Sequence, residues 1–134
     1  MVRTRVAGLA MLLLVIACRG ERIVEPTPKG DFEITLAKGE SVTLSDRTTV
    51  TFRDVLGESR CPKSVVCAWA GEGSIRLVLT RPHTTPAVVD LTTLSTVGST
   101  PGYEVRLLEL DPYPEEPGPI PASEYHATLR LTPR

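Results

Sequence analysis

The chain has 134 residues, with 15 Lys and Arg against 16 Asp and Glu, and a formal net charge of −1 at pH 7. This length suits a single domain with a hydrophobic core of its own. The slightly negative net charge argues against two functions that need a basic surface: nucleic-acid binding, and binding to anionic lipid through a polybasic segment.

The N-terminus has the pattern of an export signal. Arg3 and Arg5 precede an uncharged, mostly apolar run over residues 6–17. Such a run after a basic start is typical of a secretory signal, and it is short of the about 20 residues that span a bilayer. The run ends in Val15-Ile16-Ala17-Cys18, which resembles the bacterial lipobox, with valine where leucine is commonest. An ordinary signal that ends by chance in a cysteine is the alternative.

The lipobox resemblance implies that residues 1–17 are removed and that Cys18 carries the lipid. Two acyl chains give a stable hold where one gives only marginal binding. We therefore expect a lipid-anchored protein of the cell envelope, on the outer membrane if the organism has two membranes. Residues 18–30 hold prolines, charges and few apolar side chains, which predicts a flexible tether. Residues 31–134 form the predicted domain.

Alternation of apolar and polar residues runs through this domain and predicts β-strands. Prolines fall between the alternating segments, where they cost no ladder hydrogen bond. No segment has the apolar spacing of a long helix. The pattern predicts an all-β fold, a single antiparallel sandwich or small barrel of about seven strands. In the segment that holds Leu107, Leu108 and Leu110 the phase slips, which predicts a β-bulge near Leu107 and Leu108. The apolar positions are Phe32/Ile34/Leu36, Val42/Leu44, Val50/Phe52, Ile75/Leu77/Leu79, Val89/Leu91, Tyr103/Val105/Leu107 and Ala127/Leu129/Leu131.

Three cysteines occur, and Cys18 is assigned to lipid. The remaining pair, Cys61 and Cys67, predicts one disulfide in an exported domain, worth about 2–2.5 kcal/mol by the loop-entropy relation. A metal site that adds His83 and His126 is the alternative, although neither histidine has zinc-finger spacing. No cofactor is predicted.

The segment around these cysteines carries the single tryptophan, Trp69, two residues after Cys67. In the structural interpretation, which we favour, Trp69 covers the disulfide and packs into the core, and Glu58 and Arg60 either pair with each other or orient the loop. Alanine at Trp69 would then cost about 3–5 kcal/mol. In the functional interpretation this segment is a recognition loop, with Trp69 or Arg60 as an anchor.

A family resemblance rests on this segment. Ser59-Arg60-Cys61-Pro62 followed by Cys67-Ala68-Trp69-Ala70-Gly71 resembles an uncharacterised family of small bacterial secreted proteins and lipoproteins. The opening strand with its Gly-Glu-Ser turn (32–41) is similar to that family, as are Gly102–Leu107 and Pro112-Tyr113-Pro114. The resemblance covers most of the domain. It implies an exported β-domain with a disulfide and assigns no activity.

Residues 111–123 are rich in proline and acid. One interpretation is a stiff solvated loop before the last strand. The other is a loop presented to a partner, because proline lowers the entropy lost on binding. Tyr113, Glu115 and Glu116 are its candidate binding residues.

No catalytic set is visible in the sequence. Glycine-flanked serine elbows and His-Glu-x-x-His are absent, and the cysteine spacing is not that of a thioredoxin-type site. We therefore expect a non-enzymatic module that binds an envelope protein or polymer. The alternatives are a chagasin-like protease inhibitor, from the resemblance of Thr100-Pro101-Gly102-Tyr103 to an inhibitor loop, an envelope hydrolase using His83 or His126, and a passive structural component.

Overall fold

The structure is a computed structural model that describes residues 30–134. The predicted signal peptide, the predicted lipidation site Cys18 and the predicted tether up to Lys29 lie outside the described residues. Within those residues, no helix has the length and apolar character needed to cross a membrane. The domain is a β-sandwich of two four-stranded antiparallel sheets with one disulfide, as the sequence predicts.

The described residues contain eight strands and one 3₁₀ turn. One sheet has the order β1-β8-β7-β6 and the other β2-β3-β4-β5. Neighbours in each sheet therefore follow one another along the chain, apart from the β1–β8 pair that brings the two ends together. The strands are β1 Phe32–Ala37, β2 Ser41–Thr43, β3 Thr49–Glu58, β4 Gly73–Thr80, β5 Ala87–Thr92, β6 Val97–Thr100, β7 Tyr103–Asp111 and β8 His126–Pro133, with the 3₁₀ turn at Ala122–Glu124.

The strand registers define two ends of the sandwich. At the loop end lie Glu58 opposite Gly73 and Asp111 opposite His126. At the entry end lie Thr49 opposite Thr80 and Tyr103 opposite Pro133. Strand β1 starts near the entry end, because Phe32 pairs with Leu131 and its ring meets the Tyr103 ring edge-on at 6.2 Å. Thus the chain that precedes β1 joins the domain at the end opposite the long loops.

The core confirms the predicted alternation. Side chains at the predicted apolar positions point between the sheets and are buried, with Phe32 and Val42 partly so. Burying aliphatic and aromatic side chains at about 25 cal/mol per Å² is the main term that holds the sheets together. The bulge is confirmed as well: Leu107 pairs with Leu129 and Glu109 with Thr128, so that Leu108 is the extra residue. This shift returns Leu110 to the core and leaves Leu108 exposed.

Strand β6 is the element that the alternation did not predict. It holds Gly98 and Thr100 and has no run of alternating apolar residues. A Cβ at Gly98 would lie 2.3 Å from Val89 Cγ2. The strand crosses so close to β5 that glycine is required, and the need for close approach removes the side chain that would mark a strand in the sequence.

Candidate functional site

The disulfide is the first feature of the loop end. Cys61 and Cys67 are bonded, with their Cα atoms 6.0 Å apart, which confirms the predicted pair. They lie in the disulfide loop, residues 59–72 between β3 and β4. Its stem is closed by the backbone bond from Ser59 N to Glu72 O at 2.8 Å and by the bond from Glu72 N to Ser59 Oγ at 3.0 Å. The loop is therefore fixed at its base as well as by its bridge.

A second loop supports the disulfide loop from the side. This proline loop, residues 112–125 between β7 and β8, accepts backbone hydrogen bonds from Lys63 N to Pro114 O at 3.1 Å and from Ser64 N to Glu115 O at 3.0 Å. The Tyr113 hydroxyl donates to Cys61 O at 2.9 Å, and Lys63 Nζ lies 2.6 Å from Glu115 Oε1. Two segments about fifty residues apart in sequence thus form one surface.

Arg60 joins both loops from inside the protein. Arg60 is only 7% exposed. Its guanidinium donates hydrogen bonds to Glu58, to Leu110 O at 2.6 Å and to Pro112 O at 2.9 Å. Its Cζ also lies 5.2 Å from the centre of the Tyr113 ring. The expected ion pair with Glu58 is present. Arg60 is thus buried and its donors are used within the domain, whereas the other candidate anchor, Trp69, is exposed.

Glu58 is the charged partner at the centre of this network. Burial alone raises its pKa, but hydrogen bonds from the side chain and backbone of Arg60 and from Tyr125, with the charge of Arg60, outweigh it and lower the pKa. Burial, with the hydrogen bond to Glu58 and the charge of Glu58, raises the pKa of Tyr125 to about 12. The network is therefore built for an ionised Glu58 and a neutral Tyr125.

The predicted packing of Trp69 over the disulfide is wrong. Trp69 is 81% exposed, and every residue from Val65 to Ala70 is exposed. Beneath the loop, Arg60, Leu110 and Tyr125 are buried and close the loop end of the core, and Trp69 stays outside it. Of the two interpretations, the exposed one fits the structure.

Trp69→Ala should accordingly leave the fold unchanged. Surface substitutions away from special contacts change the free energy of unfolding by about 0.5 kcal/mol or less, far below the cost of a buried tryptophan. Urea unfolding of the variant and acrylamide quenching of the single tryptophan in the wild type measure both sides of this prediction. A loss of several kcal/mol, or a tryptophan shielded from acrylamide, would contradict the exposed placement.

A groove of about 290 Å³ runs beside the disulfide loop. Tyr113, one of the predicted binding residues, lines it and is exposed, as are Glu115 and Glu116 in the adjoining loop. The structure thus brings Trp69, Tyr113, Glu115 and Glu116 to one end of the domain. The other lining residues are Arg60, Gly71, Thr93, Thr96, Leu107, Leu108, Glu109, Leu110 and Asp111.

The two histidines lie at opposite ends of the sandwich. His83 is in the β4–β5 loop at the entry end, with a φ of 60°, and His126 begins β8 at the loop end, its Nδ1 2.9 Å from Glu124 O. Both cysteines in this part of the chain are bonded to each other, and no group of three or more His, Cys, Asp or Glu in residues 30–134 could hold a metal ion. The histidines cannot act together on one substrate.

A second polar network closes the entry end. Asp46 accepts hydrogen bonds from Thr48 N and Thr48 Oγ1, both at 2.9 Å, and from the Tyr103 hydroxyl at 3.0 Å. Arg81 lies against it, with Cζ 5.5 Å from the centre of the Tyr103 ring. Thr100 and Tyr103 are buried here, and the turn between β6 and β7 is tight. The segment that resembles an inhibitor loop does not protrude, so the structure gives the chagasin-like alternative no support.

Because of the carboxylates of Asp46 and Glu58, we expect the stability of the domain to depend on pH. Burial alone raises the pKa of Asp46, but the hydrogen bonds from Thr48 and Tyr103 and the charge of Arg81 outweigh burial, so that the net pKa is lowered. The pKa of Glu58 is also lowered. A carboxyl group whose pKa is lower in the folded protein than in the unfolded chain stabilises the fold at pH values above its unfolded pKa. This stabilisation is lost as the pH falls through its folded pKa. We expect a plateau from neutral pH to about pH 5 and a fall below about pH 4.

Urea unfolding at several pH values tests this expectation with Glu58→Gln, which should be less stable at neutral pH and flatter in acid. Glu116→Gln, exposed in the proline loop and outside any ion pair in residues 30–134, is the matched control and should follow the wild type. An identical acid slope in the Glu58→Gln variant would show that Glu58 is not one of the groups responsible.

No protein-family model matches the chain, and neither a curated protein nor a solved structure matches it.

Proposed function

We propose that this protein is a lipid-anchored, non-enzymatic interaction module of the bacterial cell envelope, which contacts another envelope component through its loop end. The observation that carries the proposal is the exposed apolar segment Val65–Ala70 with Trp69, held on a loop that is closed by a disulfide and braced by a second loop. Exposed apolar residues that are grouped and rigid are typical of binding surfaces. Fixing them before binding lowers the entropy lost on association.

The position of this surface supports the same function. The predicted anchor and tether precede β1, which starts at the entry end, whereas Trp69 and Tyr113 lie at the loop end. An anchor at one end and a contact surface at the other leave the contact surface clear of the point where the tether joins the domain. The residues proposed for contact are Trp69, Tyr113, Glu115 and Glu116, with Arg60 as the residue that positions the loops.

The experiment places a photo-crosslinking amino acid at Val66 in the full-length chain in cells. Val66 is fully exposed on the disulfide loop, and Val88, exposed on β5, is the matched control position. We expect a crosslinked adduct from position 66, identified by mass spectrometry as protein, polymer or lipid, that is absent from position 88 and is lost on Trp69→Ala. Equal adducts at both positions, or none at position 66, would contradict a contact surface at the loop end.

The anchor is tested separately. Cys18→Ser should move the protein out of the membrane fraction or leave it as an uncut precursor. A variant that fractionates and migrates like the wild type would contradict lipidation without bearing on the contact surface.

A further inference from the structure

We propose that the segment Val65–Ala70 inserts into the headgroup region of a zwitterionic phospholipid bilayer. This rests on the proposed function and names the component that the loop end contacts. The segment presents six successive exposed residues without a charge, among them two valines and the only tryptophan of the chain. Leu94, in the neighbouring β5–β6 turn, is exposed at the same end. Tryptophan with small aliphatic neighbours is the side-chain set that membrane interfaces favour.

The shape of the tip favours a fluid layer over a shaped site. Val66 and Trp69 are 101% and 81% exposed, so they project from the domain instead of lining a cleft. Apart from the indole N–H, the segment offers no side-chain group for recognising a sugar or nucleotide by hydrogen bonds. A bilayer closes around a projecting tip from all sides and requires no complementary pocket.

The backbone limits how deep this tip can go. From Val66 to Ala70 no backbone group forms a hydrogen bond within the described part of the chain. Unpaired backbone groups are costly in hydrocarbon but remain hydrated among headgroups. The structure therefore supports shallow insertion, with the indole at headgroup level and the bracing contacts of Lys63 and Ser64 above the membrane.

Charge selects the kind of membrane. Five acids at the loop end form no ion pair within residues 30–134, and together they make an acidic rim around the loops: Glu72, Glu109, Asp111, Glu116 and Glu124. The basic residues of the two loops, Arg60 and Lys63, are already paired with Glu58 and Glu115. Lys38, whose backbone N donates to Tyr125 O at 2.9 Å, adds a single positive charge at this end, which the five acids outnumber. Such a rim is repelled by anionic lipid and complements the ammonium group of phosphatidylethanolamine. It points to a zwitterionic surface.

The predicted tether is long enough to allow this contact on the membrane that holds the anchor. Thirteen residues, 18–30, span at most about 45 Å when extended. The ten residues of β3 make the sandwich roughly 33 Å long. The loop end can therefore turn back to the surface from which the tether leaves.

The single tryptophan makes the proposal directly measurable. The chain from residue 19 onward, which has no lipid of its own, is mixed with vesicles of phosphatidylethanolamine and phosphatidylcholine whose acyl chains are brominated. We expect the emission of Trp69 to shift to the blue, to be quenched by the brominated chains, and to become less sensitive to acrylamide. Adding phosphatidylglycerol at low salt should weaken these changes. In vesicle sedimentation, Trp69→Ala should lower binding about tenfold and Val88→Ser should not lower it.

An emission unchanged by zwitterionic vesicles would overturn membrane insertion, and quenching that is equal or greater with phosphatidylglycerol would overturn the zwitterionic surface. If the lipid measurements fail while position 66 still gives a Trp69-dependent adduct in cells, the contact is with a protein or polymer, and the proposed function stands. If both fail, the loop end is not a contact surface.

Discussion

Replacing Arg60 with methionine should lower the free energy of unfolding by about 3–5 kcal/mol, the cost of breaking a buried ion pair by removing one partner. The variant leaves the Glu58 carboxylate without its counter-charge in a largely buried site. It also removes the donors to Leu110 O and Pro112 O, and a buried acceptor that loses its donor costs about 1–3 kcal/mol. Methionine keeps the apolar length of the side chain, so the change isolates the lost donors and charge.

Arg76→Met is the matched control. Arg76 forms a similar two-point pair with Asp90, at 2.8 Å for each hydrogen bond, but on the exposed face of the sheet. Exposed pairs contribute about 0.2–1 kcal/mol. Urea unfolding of both variants should therefore separate them by several-fold. Equal losses would mean that the buried position of Arg60 has no special weight.

The Arg60→Met variant should also loosen the disulfide loop. Arg60 ties β3, the end of β7 and the proline loop together, whereas the other contacts between the loops are at the surface. Hydrogen exchange of the Lys63 and Ser64 amides, which donate to the proline loop, would report this directly. We expect faster exchange in the variant at these two amides under conditions in which the sheets stay protected.

Period-two alternation was sufficient to predict most of the fold. Each strand that buries one face carries its own apolar register, as in β4 with Ile75, Leu77 and Leu79, and even the bulge at Leu108 shows as a slip in that register. The signal fails where packing requires the absence of a side chain. Gly98 in β6 is such a place, because its neighbour Val89 occupies the space that a Cβ would need.

The candidate site could be predicted only in part. The disulfide and the two unusual loops are visible as composition, but their contact depends on pairs such as Lys63 and Glu115, 52 residues apart, that no local pattern reveals. The predicted position of Trp69 is wrong for a related reason. Apolar character indicates only that a side chain gains free energy from burial. It does not reveal that Arg60 and Tyr125, far apart in the sequence, are the residues that close the loop end of the core.

Gly71→Ala should lower the free energy of unfolding by at least about 1–3 kcal/mol, through a clash with backbone atoms that no side-chain movement relieves. A Cβ at Gly71 would lie 1.6 Å from Ser59 O and 2.3 Å from Ser59 C, both backbone atoms. The chain would have to move apart at the stem of the disulfide loop, where Ser59 and Glu72 exchange backbone and side-chain hydrogen bonds. Gly30→Ala is the control, because a Cβ there meets nothing within 4 Å. We expect a lower unfolding midpoint for Gly71→Ala and an unchanged one for Gly30→Ala.

If the loop end is the contact surface, the crosslink from position 66 should be weaker in Gly71→Ala than in the wild type, even at temperatures where the sheets remain folded. A Gly71→Ala protein with wild-type stability would mean that the stem of the loop is wider than the structure places it.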